Sequence, residues 1–163
     1  MSGKPFAVTS KLVKDIDMTV FDELKRRLGG ADKVVNVGVP EGKKEEDGTP
    51  VAMVAAVHEY GSPSQGIPER PFLRVAVQKN RIKYVRLNRI NLVKMLRGQM
   101  GMEQALGQLG EMAKGDVQTE IRSGDFTPLK PATIERKGSS RPLIDIGQMV
   151  QSIQWELGGK EHD

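Results

Sequence analysis

Apolar residues recur every four positions at Leu12, Ile16, Val20, Leu24 and Leu28, with Val13 and Phe21 beside them. That period predicts a helix over 11–28, stopped by Gly29-Gly30. Val34-Val35-Asn36-Val37-Gly38-Val39 is β-branched and alternating, which predicts a strand ended by Pro40. Glu41 to Thr49 is polar, charged and punctuated by glycine, as a mobile loop or hairpin tip would be. Pro50 at a first-turn position, followed by Val51, Ala52, Val54, Ala55 and Ala56, suits a short buried helix; the run is apolar enough for a strand as well. Gly61 ends it in either case. Residues 61–71 hold three prolines and two glycines, a composition that predicts a stiff, extended excursion without regular structure.

The helical pattern resumes after Pro71. On a helical wheel Lys79, Lys83, Arg86, Arg89, Lys94 and Arg97 share one broad face, and Val85, Leu92 and Leu96 an adjacent one, until Gly98 and Gly101 interrupt. From Met102 through Ala105, Leu106, Leu109, Met112, Ala113, Val117 and Ile121 the spacing is i, i+3, i+4, i+7, the clearest helix of the chain. Gly107, Gly110 and Gly115 lie off the centre of that stripe, and each costs up to about 1 kcal/mol of helix stability. They imply close approach of another backbone or a tolerated weakness. Phe126 to Pro131 is extended by its prolines, with a short helix through 132–137, a polar turn at 138–141 and a helical turn at 143–149. Ser152 to Leu157 alternates as a strand. Together these elements predict an α+β fold: a small antiparallel sheet packed against two or three helices, with long Pro/Gly-rich loops. Residues 1–157 form one domain on this reading, and 158–163 a disordered tail.

Composition narrows the possible functions. The chain of 163 residues has no cysteine, which removes disulfide frameworks, thiolate metal sites and thiol redox chemistry. Aromatics make up only 4%, so Phe21, Phe72, Phe126 and Trp155 carry unusual weight in any core or interface. The first ten residues lack the apolar core of a signal peptide, and no stretch approaches the roughly 18 apolar residues of a membrane span; a soluble, unexported chain is expected. The net charge is +4, but from Arg70 to Met102 there are nine Lys or Arg and no acid. A segment of one sign is expected to meet something negative.

His58-Glu59, at the end of an apolar helical run, is the one potential catalytic pair. A zinc helix needs a second His four residues on, where Ser62 stands, and the other His is His162. Ser62, Ser64 and Ser139 lack the context of an activated nucleophile. The preferred reading is structural: a His and a Glu at a helix end that bind loop backbone or a neighbouring chain. Lys137-Gly138-Ser139 lacks the upstream glycine of a phosphate loop, and Asp125 and Asp145 have no carboxylate partner. No catalytic, cofactor-binding or metal-binding residue is therefore assigned. The basic helix fits a small nucleic-acid-binding module through phosphate contacts, although Tyr84 alone in that segment could stack on a base. A solvated face or an acidic protein partner fits equally well.

Four segments, taken in order, resemble the tail-completion family, the head-tail joining or neck proteins of long-tailed double-stranded DNA bacteriophages. The residues are His58-Glu59-Tyr60-Gly61; Ile67-Pro68 with Arg70-Pro71-Phe72; Pro128-Leu129 with Thr133-Ile134 and Lys137-Gly138; and Leu143 to Met149 before Ser152-Ile153. The resemblance spans about two thirds of the chain. Where the family usually has Thr between Asp and Gly, this chain has Ile146.

The resemblance implies a non-enzymatic virion protein without cofactor, placed between head connector and tail tube after assembly in the host cytoplasm. It implies a ring, expected as a hexamer, whose partners are itself, the head-connector protein and the tail-terminator or tube proteins. Genomic DNA would pass through the lumen without specific binding, and no membrane is involved. The expected interface residues are His58, Glu59, Tyr60, Arg70, Phe72, Phe126, Leu129, Lys137 and Asp145. A closed ring needs a heterologous interface, and the Pro-stiffened excursions 61–71 and 124–142 would reach a neighbour with little entropy to lose. Phe72, Phe126 and Arg70 are the expected anchors.

Overall fold

The computed structural model of the chain describes residues 18–29, 33–45, 48–126 and 148–159. In chain order the elements are α1 (Met18–Arg27), β1 (Lys33–Gly38), α2 (Val51–Tyr60), α3 (Phe72–Leu96), α4 (Met102–Ser123), α5 (Gln148–Ser152) and β2 (Gln154–Gly159). Fold class and main helices agree with the periodicity. The α1 range begins at Met18, so the expected first turns at 11–17 lie outside the described residues, as do the helix at 132–137 and the turn at 138–141.

The two long helices form an antiparallel hairpin, with Lys79 opposite Glu120, Lys83 opposite Asp116 and Asn91 donating to the Ala105 carbonyl. Gly98 makes the turn possible. Its φ of 71° is the left-handed conformation that favours glycine. The Gln99 amide reaches back to the Lys94 carbonyl at 2.8 Å and the Gly98 amide to the Met95 carbonyl at 2.9 Å, which closes a Schellman motif. Arg27 of α1 then satisfies another carbonyl of that helix end, donating from Nη1 to the Leu96 oxygen at 2.8 Å.

The core gathers one face from each of several elements: Val51 and Ala55 of α2, Phe72 and Ala76 of α3, Val117 and Ile121 of α4, Met149 and Val150 of α5, and Ile153. Fully burying each Val, Ile, Met or Phe among them contributes roughly 1.5–3 kcal/mol, and each Ala less. The sheet is two antiparallel strands, with Val35 opposite Leu157 and Val37 opposite Trp155 on one face. It lies against α4. The sheet shifts one boundary: β2 runs from Gln154 to Gly159, so Gly158 and Gly159 belong to a paired strand rather than to a tail, and Ser152 closes α5.

The glycines of α4 divide by what faces them. A Cβ on Gly110 would lie 2.7 Å from Cγ of Trp155, so the indole ring rests on bare helix backbone there. The approaching group is a side chain, where a second backbone was the expected possibility. The ring is held in place by its Nε1, which donates to Glu111 Oε1 at 2.7 Å. Gly115 has nothing within 4 Å of the same construction, and there the glycine is simply a weaker helix former.

Candidate interaction surface

Helix α2 buries Val51, Ala55 and Glu59, four residues apart on one stripe, so a carboxylate sits where the pattern would otherwise place an aliphatic side chain. Its partners lie at the start of α3. Pro71 precedes that helix and supplies no side-chain cap. The first-turn amides therefore need an acceptor from elsewhere. Glu59 provides it: Oε2 accepts from the Leu73 amide at 2.8 Å and Oε1 from the Arg74 amide at 3.1 Å. A carboxylate at a helix N-terminus also meets the positive end of the helix dipole.

The chain between the two helices is a closed turn. Gly61 leaves α2 with a φ of +72°, and a Cβ there would meet the Glu69 nitrogen at 2.9 Å and the Ile67 oxygen at 3.0 Å. Ser62 and Ile67 exchange backbone hydrogen bonds of 2.9 and 3.0 Å around a single 3-10 turn at Pro63–Gln65, and the Arg70 amide returns to the His58 carbonyl at 2.7 Å. The expected extended excursion over 61–71 is thereby corrected. The prolines and glycines compact the segment onto its own backbone, and the two ends, His58 and Arg70, are directly bonded.

This geometry relocates several expected interface residues. Glu59 is 5% exposed, Arg70 4% and Phe72 2%, all inside the chain's own fold, so none of them offers a neighbour an anchor on this surface. Burial pushes the Arg70 guanidinium below its ordinary pKa. Phe126 is partly buried against the core. His58 is half-buried beside them, while Tyr60 is 72% exposed and remains an accessible aromatic. Leu129, Lys137 and Asp145 lie outside the described residues.

Arg74 is the residue that the sequence reading missed. Its Nη2 donates to the Glu69 carboxylate at 2.7 Å and to the Glu59 carbonyl at 3.1 Å, Nε lies 3.3 Å from Glu59 Oε1, and its guanidinium stands 5.9 Å from the centre of the Tyr60 ring. The Glu69 hydrogen bond and the nearby carboxylates raise its pKa. A signal for it was present: an arginine in the first turn of a helix opposes the dipole, so it implies an acid nearby. Both oxygens of Glu59 are thus engaged by α3. Among the described residues no group of three or more His, Cys, Asp or Glu gathers to hold a metal. No helix among them is long and apolar enough to cross a membrane.

The basic face of α3 splits in two. Lys79 and Lys83 turn towards α4, with Nζ 2.8 Å from Glu120 Oε1 and 2.6 Å from Asp116 Oδ1. Arg86, Arg89, Lys94 and Arg97 are exposed, and their side chains make no ion pair or hydrogen bond among the described residues. Tyr84 sits half-buried beside Asp116; burial first, and then that carboxylate, pushes its phenol pKa well above the ordinary value of 10.0. Val85, Leu92 and Leu96, expected on the adjacent apolar face, are exposed, and the face that packs on α4 carries Ala76, Asn91 and Met95.

The chain matches no protein-family model, no curated protein and no solved structure.

Proposed function

We propose that this chain is a structural virion protein of a long-tailed phage, completing the tail and joining it to the DNA-filled head as one subunit of a ring, six copies being the expected number. The observation that carries the proposal is the way the first two resembling segments meet. His58-Glu59-Tyr60-Gly61 and Ile67 to Phe72 form one closed joint, bonded from Arg70 to His58 and capped by Glu59. Residues that would be read as catalytic in an enzyme serve the joint instead, which favours an architectural role. Tyr60 and the arginine-rich side of α3 remain accessible for neighbours.

DNA has to move through such a ring. Several phosphate contacts per subunit, multiplied around the ring, would hold it in place. The exposed arginines of α3 are therefore assigned to a neighbouring protein or to the outer surface. Negative-stain imaging of lysates from a phage lacking this protein is the test: full heads and separate tails are expected, and normal infectious particles would refute the role. Retention on duplex DNA with a steep salt dependence would favour the basic nucleic-acid-binding module instead.

A further inference from the structure

The outer side of α3 carries a pattern that the core does not use. Ile82, Val85, Arg89, Leu92 and Leu96 follow one another at spacings of three, four, three and four residues, and all are exposed. Continued towards the N-terminus, the same spacing meets Gln78 and half-buried Val75. This is the heptad seam of a helix that packs against another helix. From Ile82 to Leu96 it spans about 21 Å at 1.5 Å per residue. Among the described residues seven of the nine large exposed hydrophobics lie on α3, and Ile82 is 68% exposed. Such clustering differs from the single exposed apolar residues that any surface shows.

Charge decides what covers the seam. Phe72–Leu96 contains no acid. Arg81 and Arg86 occupy positions that flank the seam, Arg89 stands in its centre, and none of the three has a side-chain partner among the described residues. Flanking charges set partner choice in helix pairs. A second copy of α3 would place arginine against arginine. Among the described residues the acids that pair with the helix are engaged away from the seam, Glu120 and Asp116 with Lys79 and Lys83, and Glu59 and Glu69 with Arg74.

We propose that the Ile82–Leu96 face of α3 is a docking surface for an acidic amphipathic helix of another protein, with aliphatic residues in its seam and Glu or Asp beside it and opposite Arg89. The surface goes beyond the neck proposal and does not depend on it.

The test uses the full chain and labelled synthetic 21-residue helices with Leu and Ile in the seam and either Glu or Lys at all flanking positions, followed by fluorescence anisotropy. The Glu helix binds saturably and more weakly as salt rises, and the Lys helix binds at least tenfold more weakly. Val85→Gln with Leu92→Gln reduces binding of the Glu helix at least tenfold. Arg86→Glu with Arg89→Glu reverses the preference between the two helices. The replaced side chains are exposed, and unchanged circular dichroism and melting confirm that the fold is retained. Equal binding of both helices, absence of binding, or indifference to the substitutions overturns the proposal. So does binding to phosphatidylglycerol vesicles without binding to the Glu helix, or self-association of the chain that Leu92→Gln abolishes.

Discussion

Replacing Glu59 with alanine removes the acceptor for two amides of α3, those of Leu73 and Arg74. Loss of a helix cap costs about 0.5–2 kcal/mol, and loss of a partly buried charge at the helix N-terminus up to about 2 kcal/mol more. The Arg74 guanidinium also loses its 3.3 Å carboxylate contact, although it keeps Glu69. Exposed on one side, that contact adds little. A total near 3 kcal/mol is expected for Glu59→Ala. Glu59→Gln keeps a neutral acceptor and loses about 1 kcal/mol. Urea unfolding reads the difference: with a slope of about 2 kcal/mol per molar, the midpoint falls by about 1.5 M for alanine and 0.5 M for glutamine. Hydrogen exchange adds the location, because the Leu73 and Arg74 amides lose protection before the rest of α3. An alanine variant within about 0.5 kcal/mol of the parent, no more than an ordinary surface substitution costs, would mean that the carboxylate does not cap the helix.

Gly110→Ala drives a methyl into the Trp155 ring and costs about 1–3 kcal/mol in the melting curve, whereas Gly115→Ala, with open space around it, gains up to about 1 kcal/mol; equal effects at the two sites would remove the packing explanation. The raised pKa of Tyr84 means that the folded chain keeps this proton after the unfolded chain has lost it near pH 10.0, so stability declines as pH rises above that value. Tyr84→Phe removes this alkaline slope, and a variant with the parent's slope would show that another group sets it.

Periodicity made the long elements legible, because apolar residues recur along each of them at helical spacing. Helix α4 shows this best: the periodic positions Ala105, Ala113, Val117 and Ile121 are buried, and Met102, Leu106, Leu109 and Met112 half-buried. Helix α3 was legible as a helix but not in its orientation. Its inward positions include Asn91 as well as Ala76 and Met95, while Ile82 and Leu92 point away, so hydropathy alone misassigns its faces. The 61–71 segment shows the limit of reading composition as shape. Proline and glycine indicate where regular structure stops, yet whether the chain then extends or closes depends on long-range bonds such as Arg70 to His58. His58-Glu59 was expected to bind loop backbone or a neighbouring chain; Glu59 binds backbone, but that of the first turn of α3. The interface anchors were the least legible. An arginine and a phenylalanine beside a proline look alike whether they face a neighbour or, like Arg70 and Phe72, the chain's own interior.

The proposed role of the chain as a ring subunit at the head–tail junction is open to an electron-microscopy map of the neck in purified virions. A ring of copies of this chain between head and tail is expected, with Arg86, Arg89 and Arg97 directed at an adjoining protein or outwards. A neck without density for the chain, or a ring with those arginines lining the DNA channel, would contradict it.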